Sequence, residues 1–227
     1  MKTVISCSRR TDIPAFFLDW LLSGFFRGKV NVKHPITKKW RTVLLDPQKI
    51  HTLVLWSKNF QPVIQRWDEF ASLLTDKEGR TRITFQFTIN SFFPLLEPGL
   101  NKSLDERIAQ VEILAELTTP LHINWRFDPI VFWREDKTVK DNLQDFDYLI
   151  ENLSAIGVNR CYFSFATWYG KCRRRAQKKG FNYIEPTLKE KLAITKRLVN
   201  KISSYDMILS NCCNPEVFEV PKVHQLG

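Results

Sequence analysis

A chain of 227 residues, 44% hydrophobic and 26% charged, can bury a sizeable core and is expected to form one barrel-sized domain over residues 1–227. It has no run of roughly 18 apolar residues, which excludes a transmembrane helix; the first strand starts too near Met1 for a signal peptide, so a cytoplasmic location and no membrane partner are expected. The formal net charge of +10 draws polyanions, and five cysteines without a CxxC pair argue against a secreted disulfide framework and against the common zinc or iron–sulfur spacings.

Thr3-Val4-Ile5-Ser6-Cys7-Ser8 reads as a buried strand running into the polar turn Ser8-Arg9-Arg10-Thr11-Asp12. Asp12 suits an N-cap and Pro14 a first helical turn, with Phe16, Phe17, Trp20, Leu21 and Phe25 as the apolar face and Gly28 as the stop. A hairpin is expected over residues 30–33 and 40–45, around His34-Pro35-Ile36-Thr37. Leu53-Val54-Leu55-Trp56 is the next strand, and Pro62 opens a helix with Val63, Trp67, Phe70 and Leu74 on one face. Residues 83–89 alternate as a strand ending near Asn90. Ser103-Leu104-Asp105-Glu106 forms a capping box before Ile108, Val111 and Ala115 at helical spacing. Residues 121–125 form a strand, and a helix is expected through Val139, Leu143, Phe146, Ile150 and Leu153. A strand at 160–165 precedes a basic segment. A second capping box, Thr187 with Glu190, opens a helix carrying Leu188, Leu192, Leu198 and Ile202, and Met207-Ile208-Leu209-Ser210 is the last strand.

This alternation implies right-handed crossovers and an α/β fold with a mainly parallel sheet. About six units point first to a partial or irregular TIM-like (β/α) barrel, and second to an open doubly wound sheet, although no GxGxxG or P-loop follows any strand. Either architecture places ligands at the carboxyl ends of the strands.

Polar side chains recur at those ends. Arg9, Arg10, Thr11 and Asp12 follow the first strand, and Lys58 and Asn59 follow the strand of Trp56. Gln86 with Thr88, Arg126 with Asp128, and Ser164 with Tyr169 and Lys171 follow in turn. Gathered in a single site, they would suit an anionic or carboxylate-bearing small molecule gripped by guanidinium forks. Asp12 and Asp128 are then the candidate bases and Lys58 the candidate acid or electrostatic stabiliser, the rest binding substrate. The structural alternative makes Arg10 with Asp12, or Arg126 with Asp128, plain ion pairs, Asp12 a helix cap and Asp128 a turn before Pro129. Phe85, Phe87, Trp56, Trp125, Phe127, Phe163 and Phe165 read as core. The four histidines lack ligand spacing, and no GxSxG elbow or local Cys–His pair supports covalent hydrolysis. No metal is expected in this chain, Cys212 being the one thiol weighed as a ligand. Lys171, Arg173, Arg174, Arg175, Lys178 and Lys179, within one nine-residue stretch, read either as solvated surface or as a nucleic-acid or nucleotide contact.

On these residues the chain resembles an uncharacterised bacterial family, the domain of unknown function 1848. The resemblance rests on Ser8-Arg9-Arg10-Thr11-Asp12-Ile13-Pro14-Ala15-Phe16, Trp56-Ser57-Lys58-Asn59, Phe85-Gln86-Phe87-Thr88 and Trp125-Arg126-Phe127-Asp128-Pro129-Ile130. Ser164-Phe165, the Tyr169/Lys171 pair and Leu209-Ser210-Asn211-Cys212 extend it over nearly the whole chain. It implies a C-terminal cysteine cluster like that of radical S-adenosylmethionine enzymes, in which three thiolates hold a [4Fe–4S] centre and one iron binds and cleaves the cofactor. This chain departs from the pattern: it ends at Gly227 without a CxxxCxxC cluster, and Asn214 stands where an acidic residue is implied. It is therefore expected to be a truncated or degenerate member, or one whose cluster-bearing segment lies outside this sequence. S-adenosylmethionine and a [4Fe–4S] cluster are expected only in a longer form. Three functions stay open: an enzyme or enzyme core for an anionic small molecule, a nucleic-acid or nucleotide-binding module, and a non-catalytic remnant.

Overall fold

The computed structural model describes residues 2–7, 11–34 and 36–225. Arg9 and Arg10, with Ser8 before them, lie outside the described residues. The rest divides into two compact units, one of residues up to 87 with 112–123, the other of 88–111 with 124 onward.

The first unit opens with β1 (Thr3–Cys7), the short helix α1 (Ile13–Phe16) and α2 (Leu18–Phe26). The antiparallel pair β2 (Lys29–Lys33) and β3 (Trp40–Leu44) follows, then β4 (Ile50–Ser57), α3 (Gln61–Gln65), α4 (Trp67–Leu74) and β5 (Ile83–Thr88). β4 pairs in parallel with both β1 and β5, with Leu55 opposite Cys7 and Phe85. Strand alternation then sends Leu53, Leu55, Ile83, Phe85 and Phe87 to one fully buried face. There Phe60 meets Phe85 and Phe87 edge-on, with ring centroids 5.2 and 4.8 Å apart. Ser6, Trp56 and Gln86 occupy the other face, and the Trp56 indole donates to Ser6 Oγ at 2.9 Å. The single helix expected after Pro62 is interrupted at Arg66, whose guanidinium binds Glu69 at 2.6 and 2.8 Å and also pairs with Asp19.

The second unit carries most of α5 (Leu104–Leu117), then β6 (Ile123–Ile130), β7 (Phe132–Glu135), β8 (Thr138–Asp141) and α6 (Phe146–Ala155). After these come β9 (Arg160–Phe165), α7 (Gly170–Lys178), β10 (Asn182–Ile184), α8 (Leu188–Ile202), β11 (Ile208–Asn211) and β12 (Val223–Gln225). Both capping boxes form as expected, Ser103 with Glu106 and Thr187 with Glu190. Trp125 and Phe127 pack on Phe146 of α6 at 5.3 and 5.0 Å, which is the core role expected of them.

Among the described residues the main sheet has the strand order β1-β4-β5-β6-β9-β11-β12, with parallel registers. The α/β class and the mainly parallel sheet are thus as the alternation predicts, with seven strands in an order that has two ends. Two local expectations are corrected. Val139 is not in a helix: it lies in β8, paired with Arg134 of β7 in a small antiparallel sheet ordered β10-β7-β8, and α6 begins only at Phe146. A left-handed turn at Asp136 reverses the chain there, and Asn142 closes the segment by accepting from Val131 N at 2.8 Å and donating to Pro129 O at 3.0 Å. Likewise β6 runs on to Ile130, so Arg126 and Asp128 sit within a strand rather than after it.

Candidate functional site

In the first unit the strand ends are tied together by Asp12. Its carboxylate caps α1 by accepting from Ala15 N at 3.0 Å, and it also accepts from Ser57 Oγ at 2.7 Å and Lys58 N at 3.1 Å. Ser57 Oγ in turn accepts from Asn59 N at 2.9 Å, while Asn59 Oδ1 accepts from Gln61 N at 3.1 Å and opens α3. So Asp12, Ser57 and Asn59 form one cross-linked turn, and the Lys58 side chain projects from it half-buried. Thr11 beside it is exposed, and Gln86 lies half-buried on the face opposite the aromatic core.

The second unit holds the denser cluster. Parallel register aligns Arg126 of β6 with Tyr162 of β9 and Ser210 of β11. Alternation then repeats the same face two residues on, at Asp128, Ser164 and Cys212. Between Phe127 and Ile130 the β6 register shifts against β9, three steps against two, and this bulge turns Asp128 toward Ser164. Asp128 accepts from Ser164 Oγ and from Arg126 Nη2, and Nη2 also lies 3.3 Å from Cys212 Sγ. The guanidinium plane sits 5.6 Å over the Tyr162 ring. The Arg126 side chain is only 5% exposed and that of Asp128 20%. Burial works against the charge on Arg126, but the Asp128 carboxylate and the Cys212 sulfur more than offset it and raise its pKa.

Three buried amides, none of them among the candidate site residues expected from sequence, hold this frame. Asn90 grips the Asp128 peptide, accepting from its N–H at 2.9 Å and donating to its carbonyl at 3.4 Å. Asn211 accepts from Cys213 N and Asn214 N at 3.2 and 2.7 Å. Asn214 accepts from Phe165 N at 2.7 Å, a backbone donor that an amide oxygen satisfies without burying a charge. A buried Asn just past an apolar strand is the signal that finds them, because an amide can satisfy a strand-end peptide on both sides. Thr88 is half-buried at the end of β5, whereas Tyr169 and Lys171 are exposed at the start of α7.

α7 exposes Lys171, Arg174, Arg175 and Lys178, with Lys179 just beyond; Arg173 is taken up by Glu185 at 2.8 Å and the Trp168 carbonyl at 2.7 Å.

No group of three His, Cys, Asp or Glu side chains placed to hold a metal ion occurs among the described residues. Three thiolates do not meet there, so the described residues do not fit a [4Fe–4S] centre. Burial raises the thiol pKa of Cys7 to about 12 and that of Cys161 further still. Cys213 is raised too, by desolvation first and the neighbouring Cys212 second. In native protein treated with iodoacetamide over a rising pH series, mass spectrometry is expected to find exposed Cys172 labelled first and Cys213 only at higher pH. Cys7 and Cys161 stay unlabelled until the chain unfolds; labelling of either at the rate of Cys172 contradicts the packing described.

Residues 4–226 match a family model described as Domain of unknown function (DUF1848). No curated protein matches the chain.

Proposed function

The chain belongs to the DUF1848 family, and we propose that it is an enzyme core whose second unit takes a small anionic molecule, bearing a carboxylate or phosphate, at the carboxyl ends of β6, β9 and β11. Arg126 is the anion contact, Ser164 a neutral hydrogen-bond partner and Asp128 the group that accepts a proton from the ligand. The observation that carries this reading is Arg126 itself. A guanidinium 5% exposed, on a sheet face whose reverse is aromatic core, is costly unless its partners or a ligand neutralise it. An anion arriving there meets a fixed, desolvated donor of the kind that binds carboxylates and phosphates in pairs of hydrogen bonds. Lys58, Asn59 and Gln86 stand as candidate contacts within the first unit.

Calorimetric titration of the full chain with malonate and with inorganic phosphate tests this. Saturable binding that falls at least tenfold in Arg126→Gln, with an unchanged circular dichroism spectrum, supports it. Equal binding by both proteins, or none by either, overturns it.

One observation favours a second reading: the exposed cations of α7 outnumber the carboxylates paired with them. Lys171, Arg174, Arg175, Lys178 and Lys179 then serve as a nucleic-acid or nucleotide contact. Binding by this helix weakens steeply with salt and is lost on charge reversal of Arg174 and Arg175.

A further inference from the structure

We propose that the β2–β3 ribbon of the first unit is a docking surface for single-stranded nucleic acid, separate from the α7 reading. The antiparallel register places Lys29 opposite Leu44, Asn31 opposite Thr42, and Lys33 opposite Trp40, so these six side chains share one face. The reverse face carries Val30, Val32, Val43 and Arg41. It is the anchored one: Val30 is 7% exposed, and its Cγ1 comes so near Gly24 of α2 that an added Cβ would stand 2.3 Å from it. The outward face is open. Trp40 is 68% exposed, Leu44 64%, and Ile36 at the tip 79%.

The shape of the ribbon is set in advance. His34 Nδ1 accepts from Ile36 N and Thr37 N at 3.3 and 3.1 Å, its carbonyl takes Lys38 N at 2.9 Å, and Lys38 supplies the left-handed residue of the reversal. Lys33 Nζ lies 5.7 Å from the Trp40 ring centroid.

Charge decides among occupants. Residues 29–45 contain Lys29, Lys33, Lys38, Lys39 and Arg41 and no carboxylate. A second copy of this face is repelled, and a polyanion is attracted. The middle row decides between polyanions. Thr42 Oγ1 donates to Asn31 Oδ1 at 2.9 Å between Trp40 and Leu44, so pressing the face into acyl chains would desolvate an amide and a hydroxyl. A single strand uses the same row: one base stacks on Trp40, the Asn31 amide meets a base edge, and the lysines take adjacent phosphates.

Fluorescence anisotropy of the full chain with labelled oligo(dT) tests this. Trp40→Ala is expected to weaken binding about tenfold and Trp40→Phe to restore most of it. Lys29→Glu with Lys33→Glu is expected to lower the log–log salt slope by about 1.4, two phosphates at ~0.7 each. These side chains point to solvent, and a thermal melt confirms that each variant folds. Absence of binding, or binding unchanged in both ribbon variants, overturns the proposal. Stronger binding to phosphatidylserine vesicles than to oligo(dT), lost with Trp40, overturns it in favour of a lipid surface. If Arg174→Glu with Arg175→Glu abolishes binding while the ribbon variants bind normally, the α7 reading stands and this one falls; the reverse pattern leaves the ribbon alone.

Discussion

Asp128→Ala is expected to destabilise the protein by about 3–5 kcal/mol, the usual cost of removing one partner from a buried ion pair. The side chain it abandons, Arg126, is 5% exposed and cannot recover its hydration without opening the sheet face. Ser164 loses its acceptor in the same substitution. Cys212 and the Tyr162 ring remain beside the guanidinium and soften the loss without replacing a carboxylate. Asp128→Asn is expected to cost less, because an amide oxygen still accepts from Ser164 and the Asn90 clamp acts on the backbone. Arg126→Met combined with Asp128→Ala should be less damaging than Asp128→Ala alone, since no uncompensated charge stays behind; the departure from additivity, about 0.5–3 kcal/mol, measures the pair. Urea denaturation with an unchanged m-value is the readout. A loss under about 1 kcal/mol in Asp128→Ala would show that Arg126 does not depend on this carboxylate.

The same comparison separates architecture from chemistry. Asp128→Asn keeps shape and hydrogen bonding but removes the basic oxygen. If it folds and still binds malonate or phosphate, Asp128 is positioned to act on a ligand rather than to hold one. If binding disappears along with stability, the pair is architectural and the enzyme reading loses its base.

The sequence made some of this legible and hid the rest for physical reasons. Elements built from local periodicity and local caps were readable: the strands around Leu55, Phe85 and Phe163, and the helices opened by Ser103 and Thr187. Their signals lie within a few residues of one another. What stayed hidden depends on distant partners. Val139 fits an apolar helical spacing with Leu143 and Phe146, yet it is a strand residue because Arg134 pairs with it across a left-handed turn at Asp136. The break at Arg66 coincides with ion pairs to Glu69 and Asp19, the second 47 residues away. Asn90, Asn211 and Asn214 show no structural role until the backbone groups they satisfy are known. The candidate site was legible in the same divided way. Arg126 and Asp128 could be read as a polar pair, but their sharing of a face with Tyr162, Ser164 and Cys212 follows from parallel register and a bulge, which no single segment encodes.

Asp12→Ala is expected to cost about 2–4 kcal/mol, because the side chain does three structural jobs at once. It caps α1 at Ala15 N, holds Ser57 Oγ, and accepts from Lys58 N. The first contact is local and was readable as an N-cap; the other two bridge from the start of α1 to the end of β4, 45 and 46 residues on. Asp12→Ser separates them, since a hydroxyl can still cap Ala15 but is too short to reach Ser57 and Lys58 as well. It should recover about 1 kcal/mol of the loss, with faster hydrogen exchange at the Lys58 amide than in the parent protein. Asp12→Asn should retain more, because an amide oxygen can stay with Ala15 and Ser57. These outcomes also judge the catalytic candidacy of Asp12. A structural tie predicts that loss of stability and loss of ligand binding run in parallel across the three variants. A base predicts that Asp12→Asn stays folded and fails only in turnover. Full stability of Asp12→Ala would remove the structural account and return this carboxylate to the site.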